Sequence, residues 1–155
     1  MVIPRLYLSV FGWVMGVLFF RLMDGKELLL ITRTVYFSAT LIPAFIILFV
    51  ETFPKRNLTF SNLKLCALLA VPLIFSILSF VPGAIIKNVV NFGVLKTINF
   101  GPFYHFYVIY IVSYFLLGLG LIIKRYFKLQ GVEKNQIEII LLSILVSSLA
   151  GVSTN

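Results

Sequence analysis

The sequence has little acid, little sulfur and almost no imidazole. Five Asp and Glu residues stand against thirteen Lys and Arg in 155 positions, with one histidine, His105, and one cysteine, Cys66. A single thiol excludes an intrachain disulfide and a thiolate metal cluster. One histidine with no Cys or carboxylate cluster around it lacks the several donors that a metal site needs. A glycine-rich phosphate loop, a nucleophile elbow and a paired-carboxylate site are missing too. No catalytic residue, metal or cofactor is therefore expected.

What is abundant is apolar surface. Hydrophobic residues make up 61% of the chain and charged residues 12%, against roughly 45–50% apolar content in a soluble domain. The mean hydropathy is +1.09. The charges fall in short clusters between long apolar runs, as a bilayer sorts a sequence. In a soluble protein the net charge of +8 would raise nucleic-acid binding. Here loops at the membrane surface account for it, so the expected partner is the lipid bilayer and not nucleic acid.

Crossing the hydrocarbon takes about 20 apolar residues as a helix, because lipid offers no partner to an unpaired backbone group. Five segments approach that length: 6–23, 28–50, 65–81, 102–123 and 137–152. The fold class is thus all-α, a polytopic transmembrane bundle of about five spans in one domain over 1–155. The first, third and fifth segments are short. Arg21, Lys64 and Glu138 beside them would snorkel to the headgroups, or the bilayer would thin. A signal peptide competes for the first segment, since Arg5 precedes an apolar stretch, but no small-residue cleavage pattern follows and the next apolar run begins almost at once.

Counting Lys and Arg by loop sets an orientation. Arg5, Lys55, Arg56, Lys64, Lys124, Arg125, Lys128 and Lys134 share one side; Arg21, Lys26, Lys87 and Lys96 share the other, with Arg33 just inside the second span. The richer set belongs in the cytoplasm, which puts the start of the chain inside and its end outside. The longest stretch that is a poor span, from Pro82 to Gly101, is rich in β-branched residues, with Asn91 and Gly93 near its middle. It reads as a short extracellular β-hairpin between the third and fourth spans, with an irregular interfacial loop as the alternative. Either is the external feature best placed to touch a ligand.

Individual residues carry weaker signals. Gly12 and Gly16 share a helix face and let another backbone approach, within this bundle or in a homodimer. Pro43 and Pro72 interrupt the donors of their spans and favour a kink. Arg33, flanked by Thr32, Thr34 and Tyr36, is either turned to the bundle interior or snorkels outward. Glu51, at the far end of the same span, is too distant to pair with it at 1.5 Å of rise per residue. Tyr104 and His105 belong to an aromatic belt at the start of the fourth span, and His105 reads more readily as belt than as a ligand contact.

Several stretches together resemble the N-terminal seven-helix sensor region of bacterial histidine kinases. Arg33, Tyr36, Pro43 and Phe49 are similar to its Arg, Tyr, Pro and Phe along one span. Phe100-Gly101-Pro102-Phe103 resembles the Tyr/Phe-Gly-Pro-Phe lead into its fifth helix. Gly131-Val132-Glu133-Lys134-Asn135-Gln136 resembles the lead into its sixth helix, and Gly151 to Asn155 that helix's outer end. The resemblance implies that the five spans are the family's second to sixth helices in a bacterial plasma membrane, with the first and seventh absent. It also implies a signal-input role that relays a stimulus to a cytoplasmic kinase or cyclase outside this chain, generally as a homodimer. A small or lipid-like ligand would then bind near Arg33, Tyr36, Tyr104 and His105. A component of a small transporter or channel is the alternative class, although the span centres hold no acidic or histidine relay and no internal repeat is visible.

Overall fold

The computed structural model describes residues 3–25, 27–53, 61–92 and 95–153. The loop charges Lys26, Lys55 and Arg56, the hairpin residues Gly93 and Val94, and Thr154 and Asn155 lie outside the described residues. Each of the five apolar segments forms a helix: α1 (Ile3–Leu22), α2 (Leu28–Thr52), α3 (Asn62–Phe80), α4 (Tyr104–Tyr126) and α5 (Gly131–Ser153). Strands β1 (Ile86–Phe92) and β2 (Leu95–Phe100) lie between α3 and α4. Two of the segments that looked short become full-length helices by extending upstream. The α3 helix begins at Asn62 and takes in Lys64, and α5 begins at Gly131 and takes in Glu133, Lys134 and Glu138. Helical hydrogen bonding continues through the headgroup level, where charged side chains meet water. Four helices, Pro4–Leu22, Leu28–Thr52, Asn62–Phe80 and Tyr104–Tyr126, are long and apolar enough to cross a membrane, and α5 matches α4 in length with charges in its first turns.

The bundle is built around α2, which packs against α1, α3, α4 and β1. Its buried positions run the length of the helix from Leu28 to Val50. The helices surrounding it turn large apolar side chains outward, with Leu8 71%, Ile77 67% and Leu116 61% exposed. Such a surface is a liability in water and the normal contact surface in lipid. Since lipid is as apolar as leucine, association of these helices rests on close packing and hydrogen bonds. Gly12 and Gly16 provide the packing at α1. A Cβ on Gly16 would lie 2.6 Å from Val35 Cγ2, and one on Gly12 would lie 3.0 Å from Ser38 Oγ, so both glycines face α2. Several hydroxyls within the helices are satisfied locally: Thr32 donates to the Leu28 carbonyl, Thr40 to Tyr36 and Ser79 to Phe75, each one turn back, whereas the buried Ser76 Oγ has no partner among the described residues.

Both helices continue through their prolines. Pro72 has no N–H to offer the carbonyl of Leu68, four residues back. That carbonyl instead accepts a 3.1 Å hydrogen bond from the Tyr114 hydroxyl on α4. Tyr110 and Tyr107, one and two turns nearer the hairpin on the same face of α4, donate to the carbonyls of Thr40 (2.7 Å) and Tyr36 (3.2 Å) on α2. The three tyrosines thus tie α4 to two neighbours by backbone acceptors. Tyr114→Phe should destabilise the bundle by about 1 kcal/mol, and by much less in a Pro72→Ala background, where the new N–H serves Leu68. Unfolding in detergent measures that double-mutant cycle. Equal costs in the two backgrounds would contradict the assignment.

The hairpin covers one end of the bundle. Pro82 and Gly83 occupy the middle of a turn closed by a 3.2 Å bond from Ala84 N–H to the Val81 carbonyl, and Gly83 takes φ +76°, which is the geometry that favours proline followed by glycine. The strands pair antiparallel from Ile86 opposite Phe100 to Phe92 opposite Leu95, with a bulge between Ile86 and Asn88. Ile85, Ile86 and Tyr107 form a buried cluster against which Val89 and Ile98 of the strands and Leu29, Phe75 and Leu78 of the helices pack. At the opposite end a second cluster joins Val50, Ile122 and Ile137 of α2, α4 and α5.

Candidate functional site

Below the hairpin lies a cavity of about 300 Å³. From α1 it is lined by Trp13, Val17 and Phe20; from α2 by Thr32, Val35, Tyr36 and Ala39. Ile98 of β2 and Tyr107 of α4 complete it. The small residues that bring α1 close to α2 stand on either side of this space, because Gly16 contacts Val35 itself. Among the described residues no charged side chain lines the cavity. Its polar side-chain groups are the hydroxyls of Thr32, Tyr36 and Tyr107 and the indole N–H of Trp13. Those of Thr32 and Tyr107 already donate to backbone carbonyls, whereas the Tyr36 hydroxyl donates to no atom among the described residues.

The four residues expected from sequence to line a site are divided by the fold. Tyr36 lines the cavity. Tyr104 is half-buried and stacks on Phe100 with ring centroids 3.7 Å apart, and Phe100 meets Tyr36 edge-on at 6.3 Å. Tyr104 therefore backs the site through an aromatic intermediary. His105 is exposed, with its ring edge-on to Tyr104 at 6.0 Å. Tyr104, Tyr107 and Ile111 share the helix face that packs inward, and the next residue along a helix points about 100° away from its neighbour. Arg33 is half-buried, with a buried Nε that has no hydrogen-bond partner among the described residues, and it does not line the cavity.

Lys96 in β2 is a residue whose role the sequence did not disclose. Its side chain is only 8% exposed. Nζ donates to the carbonyls of Phe20 (2.8 Å), Arg21 (3.1 Å) and Met23 (2.7 Å), and lies 3.0 Å from Asp24 Oδ1. The last carbonyls of a helix have no partner within the helix, and a cation there also complements its dipole. Lys96 therefore fastens the hairpin to the end of α1, and Asn91 adds a 2.9 Å hydrogen bond to Asp24. At the far end of the bundle, Arg125 Nη2 donates to the Glu51 carbonyl at 2.9 Å and meets its carboxylate at 3.5 Å. Glu51 thus pairs across helices, at a distance from Arg33 that the helical rise had anticipated.

Hydrogen bonds from Lys96 and then Asn91, with the Lys96 charge, hold the Asp24 carboxyl below the usual carboxylate range. A carboxyl depressed in the folded state contributes fully above its ordinary value near 3.9, and its contribution is lost as pH falls through the lower folded value. Hairpin amide protection factors should therefore be level from about pH 7 to 5 and fall below about pH 4. Asp24→Asn should remove that fall. A decline centred near neutrality would contradict it.

The order of elements, the Phe100-Gly101-Pro102-Phe103 junction between hairpin and α4, and the aromatic packing around Tyr36 all lie within one matched region. A family profile for the N-terminal seven-transmembrane region of histidine kinases matches residues 4–154. The chain belongs to this family. No curated protein and no solved structure matches it. As a histidine-kinase seven-transmembrane region it is a multi-pass membrane protein of a sensory, non-catalytic type. Among the described residues no group of three or more His, Cys, Asp or Glu could hold a metal ion. In this family setting the cavity, closed on one side by a fastened hairpin, is the candidate input site.

Proposed function

We propose that this chain is the signal-input region of a bacterial histidine kinase. In this reading it binds a stimulus molecule at the hairpin end, outside the plasma membrane's inner face, and passes the bound state to a cytoplasmic kinase or cyclase. The observation that carries the reading is the cavity lined by α1, α2, α4 and β2. Two of those helices, α2 and α4, also meet at the Arg125–Glu51 contact at the opposite end. A ligand shifts such a bundle only through contacts that differ between two states, and helices shared by both ends supply the connection. The charges support the orientation: Lys64, Lys124, Arg125, Lys128 and Lys134 gather at the end away from the hairpin, where the positive-inside rule places the cytoplasm. Arg21, Lys87 and Lys96 lie at the hairpin end, Lys96 engaged with Asp24.

Autophosphorylation of the intact kinase in native membranes tests the reading. Arg125→Ala and Val35→Trp, the latter filling the cavity, should each change the stimulus dependence of labelling while the protein still inserts. Unchanged phosphorylation in both variants, together with solute flux through vesicles containing this chain, would favour a small transporter or channel instead.

A further inference from the structure

We propose that the cavity binds an uncharged, single-chain amphiphile of about ten carbons, with one hydroxyl or carbonyl placed against Tyr36. The inference rests on the sensory reading above and gives the input site its ligand chemistry. Three observations lead to it.

Among the described residues the lining has no charged side chain with which to meet a charge: Arg33 and His105 both lie outside it. A buried charge without a partner is costly enough to exclude fatty carboxylates, phosphates and amines. The volume, about 300 Å³, holds about ten groups the size of a water molecule. That suits one medium-length chain and excludes a phospholipid with two tails. The third observation is the uneven satisfaction of polar atoms. Thr32 and Tyr107 have already placed their protons on carbonyls of α2, which leaves their oxygens as acceptors. Among the described residues Tyr36 accepts at its carbonyl from Thr40 and Tyr107 and its hydroxyl donates to none of them, which leaves that proton for a ligand. A hydroxyl or carbonyl oxygen on the ligand can accept from Tyr36, and a ligand hydroxyl can donate to Thr32 or Tyr107 in turn.

Access follows from Trp13. It lines the cavity and is also 39% exposed, so the cavity can be reached from outside at α1, a helix whose exposed apolar side chains suit the lipid in which such an amphiphile concentrates by partition. Trp13 is also the single tryptophan of the chain, so its emission reports this site and no other.

The test titrates 1-decanol into phosphatidylcholine vesicles containing the full chain and follows Trp13 fluorescence. A saturable shift is expected with 1-decanol. Decyl sulfate and decyltrimethylammonium, permanently charged analogues of equal length, should bind at least about tenfold more weakly. Tyr36→Phe should weaken 1-decanol roughly fivefold to tenfold, the value of one hydrogen bond, and leave decane unchanged. Ala39→Phe, which fills the cavity, should abolish saturation. An unsaturable drift that persists in Ala39→Phe reports partition into lipid and overturns the proposal, as does equal binding of the charged analogues. If Ala39→Phe fails to fold, Tyr36→Phe decides alone. Saturable binding with no effect of 1-decanol on kinase labelling upholds the ligand chemistry and counts against the sensory reading. Labelling that depends on this region without any saturable Trp13 response sinks only the ligand proposal.

Discussion

Gly101→Ala should undock the hairpin and cost about 3 kcal/mol or more, the upper end of what overpacking does. Gly101 is buried where β2 turns into α4. A Cβ there would overlap the carbonyl oxygens of Gly83 and Ala84 and sit 2.7 Å from the Ala84 carbonyl carbon. These are backbone atoms held by a network: Gly101 N–H donates to the Ile85 carbonyl at 2.8 Å and Phe103 N–H to the Ala84 carbonyl at 3.1 Å. No side chain can swing aside to make room, so the two backbones must separate and those bonds must break. Because Ile85 and Ile86 are fully buried beside this junction, the cluster under the hairpin should loosen with it. Hydrogen exchange over β1 and β2, with thermal unfolding in detergent, measures the effect. Gly120→Ala, within the α4 helix that follows, is the control. Nothing lies within 4 Å of its added Cβ, and alanine is the better helix former by roughly 0.5–1 kcal/mol. Comparable losses in the two variants would show that glycine at 101 is not needed for the close approach.

Lys96→Met should release the hairpin from α1 while leaving the helices inserted. The substitution keeps an apolar stem of similar length and removes the ammonium that three carbonyls of the α1 terminus share. Hydrogen bonds to charged groups contribute about 1.5–3 kcal/mol, and water reaching the freed carbonyls recovers part of that. A net cost of about 2 kcal/mol corresponds to a roughly thirtyfold rise in hairpin opening, to be read as a drop in amide protection in β2. Asp24→Asn should have the smaller effect, since Asp24 is exposed and its attraction to Lys96 is screened. Lys96→Arg should restore only part of the protection. A rigid planar fork cannot direct its donors at three converging carbonyls as a compact ammonium does. Protection unchanged in Lys96→Met would mean that Ile98 and Val89 hold the hairpin without the latch.

The parts of this fold visible in the sequence are those set by local composition. Apolar run length placed five helices, and the β-branched stretch after Pro82 placed the hairpin, because each depends on residues adjacent in the chain. The Phe100-Gly101-Pro102-Phe103 motif marked the junction correctly without giving its cause, which is the approach of a backbone nearly twenty residues upstream. Inward faces were harder. A span surrounded by lipid is apolar on all sides, so the periodicity that reveals the buried face of a soluble helix is weak here. Tyr107, Tyr110 and Tyr114 did share a face by spacing, yet the carbonyls they serve lie on α2 and α3, 46 to 71 positions away. The same distance concealed Lys96, whose partners are 73 to 76 positions earlier. In the sequence it is one more loop charge; in the fold it is the fastening of the hairpin. Of the expected site residues, only Tyr36 reaches the cavity; Thr32 lines it from one turn earlier on α2, and Trp13 joins because α1 comes close at Gly16.

The proposed input role requires the hairpin to face away from the cytoplasm. Intact cells expressing single-cysteine variants in a Cys66→Ala background, treated with a membrane-impermeant maleimide, test this directly. Lys87→Cys, exposed on β1, should label at once from outside. Lys64→Cys and Lys128→Cys, exposed at the other end of the bundle, should label only after the membrane is opened. Ready labelling of positions 64 and 128 in sealed cells, with position 87 protected, would invert the bundle and contradict an input site beneath an external hairpin.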